Sequence, residues 1–289
     1  MPDTNPPTNL SLAYLDQEAV LELTGPDAVS FLQGQSSADF SGSDTQKPIL
    51  GTFCNVKGRV LADFLAFKVS DERILLRCEG QVGDALITHL QPYLNFSKST
   101  LRRCEGVVYG GIGDQDGSNV TSSEEARDAG EWFAIPRFSG ATEFWHLGDH
   151  PAAATTVSAD MWYSEMMRNE DARITGATIG KYLPQDLNYD LRGYISFSKG
   201  CYTGQEIIAR LHYKGKPKRR LYRATCTAES DCAPGSDLIV GDQGKAAGSV
   251  VNCASAAGVK YLLIETIENA FDDQLRLADC NTPLQAITD

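Results

Sequence analysis

A lysine two residues ahead of a cysteine, itself two residues ahead of a helical pattern, is the strongest chemical signal in the chain. Lys199 and Gly200 end the alternating run Tyr194–Ser198, which reads as a short strand; Cys201, Tyr202 and Thr203 make a turn. Gly204–His212 then resumes at helical period, with Ile207, Ile208 and Leu211 apolar. Thr203 and Glu206 have capping-box spacing, in which each side chain accepts from the other's backbone amide. A helix start of that kind places Cys201 beside unpaired amides and the positive helix end, with Lys199 as a nearby cation. Those conditions favour a thiolate nucleophile. The same residues also suit a buried cysteine at a tight turn, and spacing alone leaves both readings open.

Two other features have chemical content. Asp63 is the only acid in the apolar run Arg59–Val69, and a buried carboxylate needs a partner, which Arg59 or Lys57 could supply. Lys214, Lys216, Lys218, Arg219 and Arg220 fall within seven residues and read either as a positive rim or as a solvated linker. The eight cysteines include no C-x-x-C, and with four scattered histidines no metal site is expected. A thiol–disulfide oxidoreductase would also lack an obvious resolving cysteine. Of the eight, Cys201 is the one whose thiol is expected to matter.

Composition narrows the classes further. A net charge of −12 repels phosphates, which disfavours stable DNA binding and RNA binding. No apolar run approaches the ~20 residues that span a bilayer. Met1–Asn9 has neither the basic nor the apolar part of a signal peptide, so a cytoplasmic protein without membrane attachment is expected.

The surrounding elements alternate strand and helix. Ala19–Leu23 reads as a strand, Pro26–Gln33 as a helix with proline in its first turn, and Arg59–Val69 with Arg73–Cys78 as a hairpin. Val82, Leu86, Leu90 and Leu94 predict a helix over Val82–Leu94. Strand Glu105–Ile112, a polar excursion over Gly113–Gly130, strand-like Phe133–Leu147 and a helix over Ala152–Arg168 follow. Beyond the basic run, Leu221–Thr227, Leu238–Val240, Gly248–Val251, Tyr261–Ile267 and Leu275–Leu277 have the rhythm of a small β-barrel.

Lys199-Gly200-Cys201-Tyr202-Thr203-Gly204-Gln205-Glu206 reproduces the K-G-C-Y-T-G-Q-E motif of the YgfZ-type folate-binding family at every position. Leu183-Pro184-Gln185, Ile195-Ser196-Phe197 and Ile207–Arg210 resemble its approach and exit. Thr24-Gly25, Asp27, Phe31–Gln35 and Asn55–Arg59 resemble the family's amino-terminal blocks, and Gly248-Ser249-Val250 part of its terminal barrel. The resemblance implies an α+β fold: a folate-binding region like that of the glycine-cleavage aminomethyltransferases (GcvT-like), built of ferredoxin-like subdomains over 1–218, with a subdomain break within 113–130. A small C-terminal β-barrel domain over 219–289 would complete it.

It further implies tetrahydrofolate as cofactor, iron–sulfur client enzymes as partners, and an accessory role in iron–sulfur assembly or maintenance that supports tRNA methylthiolation. Lys199 and Cys201 would be the functional pair. Tyr202, Gln205 and Glu206 would shape the folate site, Trp162 would stack on the pterin, and the pterin N–H groups could partner Asp63. Two departures stand out. Aminomethyltransferases carry adjacent acids where this chain has Ala62-Asp63-Phe64, and Arg173-Ile174 leads into Gly176-Ala177-Thr178 without the family's proline. The first weakens the alternative reading as an aminomethyl or one-carbon transferase. An RNA-binding module using Lys214–Arg220 is a further alternative, opposed by the net charge.

Overall fold

A computed structural model describes residues 11–42, 47–112, 131–138, 141–148, 155–227 and 229–287. Met1–Asn9 and the expected subdomain break within 113–130 lie outside the described residues. In chain order the elements are β1 (Ser11–Tyr14), β2 (Glu18–Thr24), α1 (Ala28–Gln35), β3 (Ile49–Cys54), β4 (Val60–Ser70), β5 (Arg73–Glu79), α2 (Gly80–Leu94), β6 (Thr100–Arg103) and β7 (Gly106–Ile112). They continue with β8 (Glu131–Pro136), β9 (Ala141–Leu147), α3 (Ala159–Arg168), α4 (Gln205–Lys214), β10 (Arg220–Thr227), β11 (Asp237–Val240), β12 (Lys245–Ala256), β13 (Val259–Thr266), β14 (Arg276–Leu277) and β15 (Gln285–Ala286). This is a mixed α+β fold.

The strands form three antiparallel sheets among the described residues, ordered β3-β4-β5-β2-β6, β1-β7-β9-β8 and β14-β11-β12-β13-β10-β15. The first is built on the β4–β5 hairpin, where Ala66 faces Leu76 and Phe67 faces Leu75. Both faces of β4 are buried, which is why its sequence shows little alternation. On α2, Val82, Leu86, Leu90 and Leu94 form the buried stripe that the spacing predicts, each worth about 1.5–3 kcal/mol of burial. Its start is capped by the Glu79 carboxylate, which accepts from the Val82 amide at 2.9 Å.

The third sheet is drawn wholly from Arg220–Ala286 and has an apolar core of its own, including Ala224, Leu238, Val250, Leu262 and Ile264. β12 runs for 12 residues, well beyond Gly248–Val251, because a register shift between Val250 and Asn252 interrupts the alternation that marks a strand in sequence. Among the described residues no helix is long and apolar enough to cross a membrane.

Tyr194–Ser198 is not a strand. It is part of an irregular stretch held by other means: Tyr194 stacks on Tyr189 with centroids 4.2 Å apart, and the Ser196 amide donates to the Ser37 carbonyl at 2.9 Å. The third helix begins at Ala159, where the Ser158 hydroxyl accepts from the Met161 amide, and so is shorter than Ala152–Arg168.

Candidate functional site

The amino-terminal sheets enclose a layer of buried charge. Glu18 of β2, Asp63 of β4, Arg77 of β5 and Glu143 of β9 meet Arg137, Asp171 and Arg173 from the following segments. Arg77 binds Glu143 in bidentate fashion at 3.0 and 2.7 Å and reaches Glu18 at 3.6 Å. Arg137 lies 3.1 Å from Glu143 and pairs with Asp171, whose other oxygen accepts from the Tyr194 hydroxyl at 2.9 Å. Arg173 pairs with Glu18 and stacks over the Tyr163 ring.

Burial alone would raise the Glu143 and Asp171 carboxyls. The neighbouring guanidiniums overcome it and hold both below the usual carboxylate range. Asp63 goes the other way: burial pushes it up to about 6, against the pull of the Ile174 amide and the Arg77 and Arg173 charges. Its Oδ1 accepts from that amide at 2.5 Å. Neither residue suggested by sequence spacing is its partner, since Arg59 donates instead to the Lys181 carbonyl at 2.8 Å.

A cleft of ≈ 240 Å³ opens on this layer, walled by Leu50, Phe138, Leu191 and Tyr194 and flanked by Arg137 and Arg192. Among the described residues Arg192 pairs with Glu170, at 3.9 Å. Phe138 stacks on Trp162 with centroids 5.7 Å apart and planes inclined by 30°. The indole is wholly buried and lies flat on Gly110, where an added Cβ would sit 2.2 Å from the ring. Its N–H has no hydrogen-bond acceptor among the described residues. Trp162 thus stands one ring behind the cleft wall.

The Lys199–Glu206 motif is not part of the cleft lining; it packs against residues 36–38 and 54–58. The Lys199 ammonium is turned inward, donating to the Ser36 and Ala38 carbonyls at 2.7 and 2.6 Å, with the Tyr202 ring 5.3 Å away. Burial lowers its pKa to about 8, partly offset by the Asp39 charge. Cys201 is exposed, so the structure does not bring the two together as an ammonium–thiol pair. The Thr203–Glu206 capping box does not form either. Gly204, at φ +84, turns the chain and becomes the cap of α4 itself. A side chain there would meet the Asn55 carbonyl at 2.5 Å, so the motif's second glycine is required by docking as well as by φ. Gln205 is half-buried and Glu206 exposed.

What the sequence blocks share is this neighbourhood. The motif packs on the 55–59 turn through Gly58 and Ile207, Gln185 donates to the Ile208 carbonyl at 2.9 Å, and the Ser37 hydroxyl donates to the Tyr194 carbonyl at 2.7 Å. Tyr182 hydrogen-bonds Ser249 at 2.9 Å and so ties the third sheet to the same neighbourhood. The basic run divides: Arg220 pairs with Asp190 at 2.6 Å and Arg219 with Glu265 at 3.2 Å, while Lys214, Lys216 and Lys218 remain exposed. Sequence reading missed Arg77, Arg137, Glu143, Asp171 and Arg192. The lone-charge signal that singled out Asp63 applies equally to Arg77 in Ile-Leu-Leu-Arg-Cys and to Glu143 in Ala-Thr-Glu-Phe-Trp.

No family model matches the chain. It is similar to the tRNA-modifying protein YgfZ of Vibrio atlanticus, 27% identical over 93% of this chain and 87% of the relative. It is likewise similar to the protein of that name from Klebsiella pneumoniae, 29% identical over 90% and 85%. Among solved structures it resembles the glycine cleavage system aminomethyltransferase T of Bartonella henselae, with a TM-score of 0.69 over 97% of this chain and 85% of that one at 15% identity. Over nearly its whole length, then, the chain is similar in sequence to YgfZ proteins and in fold to that aminomethyltransferase.

Proposed function

We propose that the protein binds tetrahydrofolate in the cleft beside Arg137 and Arg192 and serves, as a YgfZ-type protein, in the maintenance of iron–sulfur enzymes that support tRNA modification. The observation that carries this reading is the combination of apolar wall and cation in one cleft: Leu50, Phe138 and Leu191 offer a surface for a flat heteroaromatic ring, and Arg192 offers a weakly engaged guanidinium for a carboxylate tail. The names of the relatives support the link to tRNA. The fold supports a folate-sized site in this part of the molecule, and the sequence motif supports a role for Cys201 and Lys199.

In this reading Phe138 and the buried Trp162 form the aromatic backing of the site. Asp63 is a buried acceptor held by the Ile174 amide, its charge disfavoured by burial. Cys201 is the exposed thiol of the motif. Tetrahydrofolate should quench the tryptophan fluorescence saturably, and Trp162→Phe should remove most of that quenching; quenching that survives the substitution would transfer the reporter to Trp132 or Trp145. In a cell lacking its own protein of this type, the wild-type chain should restore iron–sulfur enzyme activity and Cys201→Ser should not. Full restoration by Cys201→Ser would leave the motif as a structural turn.

A further inference from the structure

The C-terminal sheet gathers thiols that are scattered in sequence. Cys226 is on β10, Cys232 in the connection to β11 and Cys253 in the middle of β12, and all are free thiols. The Cys253 thiol donates to the Cys232 carbonyl, its sulfur 3.3 Å from that oxygen. Lys260, on the facing strand β13, donates to the Ser230 carbonyl beside them. Among the described residues no group of three or more metal-ligating side chains is arranged to hold an ion.

Cys253 also faces a small cavity of ≈ 50 Å³ that it shares with Met166, Met167, Arg173, Pro234 and Asn252. That is room for one or two water-sized molecules. Among the described residues two guanidinium nitrogens of Arg173, Nε and Nη2, have no hydrogen-bond acceptor. A peroxide oxygen leaving as hydroxide could be met there by a donor.

We propose that Cys232 and Cys253 form a redox site, a dithiol that hydrogen peroxide converts to a disulfide, with Cys253 as the attacking sulfur and Cys232 as the resolving one. In the first step the Cys253 thiolate forms an S–O bond as the peroxide O–O bond breaks, giving a sulfenic acid and hydroxide. The proton released on forming the thiolate neutralises that hydroxide. In the second, Cys232 sulfur attacks the sulfenic sulfur, an S–S bond forms, the S–O bond breaks, and the Cys232 proton leaves with the hydroxyl as water. The balance is two thiols and one peroxide to one disulfide and two waters.

The order of attack follows from the surroundings. Cys253 lines the cavity and Cys232 does not, so a peroxide entering there meets Cys253 first. Burial raises the Cys226 thiol. Oxidation would pin the β10–β11 connection to β12 one residue from Asn252, whose side-chain amide clasps the Arg173 backbone in both directions at 3.0 Å. The state of the pair would thus reach the buried charge layer.

The test is oxidation of the folded full chain with equimolar hydrogen peroxide, followed by thiol alkylation and peptide mass mapping. The expected first product has lost two hydrogens, maps to Cys232–Cys253, and returns to the dithiol with a dithiol reductant. Cys232→Ser should stall as a sulfenic acid on Cys253 that dimedone traps. Because Cys201 and Cys280 are exposed, the Cys201→Ser, Cys280→Ser double variant should form the same bridge at the same rate. Oxidation confined to Cys201 and Cys280, or a bridge mapping to Cys226–Cys232, would overturn the proposal; both are read on the unsubstituted protein, whatever the variants do.

Discussion

Between the amino-terminal sheets seven buried charged side chains, from Glu18 to Arg173, are joined by ion pairs and hydrogen bonds, whereas the C-terminal sheet closes over Ala224, Leu238, Val250, Leu262, Ile264 and Leu277. An apolar core accepts any filling of the right volume. A guanidinium bound to a carboxylate by two directed hydrogen bonds accepts one geometry. The half of the molecule that carries the cleft is the half whose interior is fixed by direction, and the half that braces it is fixed by volume. Arg137, which belongs to both the charge layer and the cleft, makes the connection concrete.

Substitutions at matched depth should separate the two halves. Arg77→Met removes the bidentate partner of Glu143 and one of two guanidiniums at Glu18, leaving Arg137 and Arg173 to hold them, and should lower stability by about 3 kcal/mol in urea denaturation. Leu262→Met in the third sheet, a swap of similar volume, should lower it by less than about 1.5 kcal/mol. Equal losses would remove the distinction.

A smaller effect sharpens it by pH. The folded Asp63 carboxyl titrates at about 6 against an ordinary value of 3.8, so its protonated form is the one that folding favours. Its contribution is then fully present below about 3.8 and is lost as pH rises through about 6, on the order of 3 kcal/mol. Glu143 and Asp171 carry the opposite sign, stabilising above the ordinary carboxylate range and losing that contribution as pH falls below it. The difference in stability between wild type and Asp63→Asn isolates the Asp63 part. It should change across pH 4–6, and a flat difference would mean that Asp63 is ionised throughout.

Most of the elements were legible because they obey local rules. The α2 stripe and the β4–β5 hairpin follow from periodicity and a turn, and the α4 pattern from Ile207, Ile208 and Leu211. β1, β3 and β6 were not, being short and, like Ile49-Leu50-Gly51, without alternation. The site was legible only as separate blocks. Nothing local says that residues 36–38, 55–59, 183–185 and 199–208 meet, because what joins them is a lysine reaching carbonyls more than a hundred residues away and a glycine fitted under Asn55. Thr203–Glu206 was misleading for a local reason: Gly204 takes a left-handed conformation that moves the helix cap one residue on. The Cys232–Cys253 contact was invisible for the converse reason, since C-x-x-C spacing is only one way of bringing two thiols together.

The most direct test of the account is a calorimetric titration of the protein with tetrahydrofolate, repeated on Arg192→Ala. Arg192 is half-exposed and, among the described residues, its ion pair is with Glu170 at 3.9 Å, so its removal should move the urea midpoint little. If its guanidinium receives the carboxylate tail, affinity should fall at least about tenfold, the size of one charge-assisted hydrogen bond. Single-site binding to the wild type, weakened in Arg192→Ala, is the predicted result; binding indifferent to Arg192, or no binding at all, would contradict the assignment of this cleft.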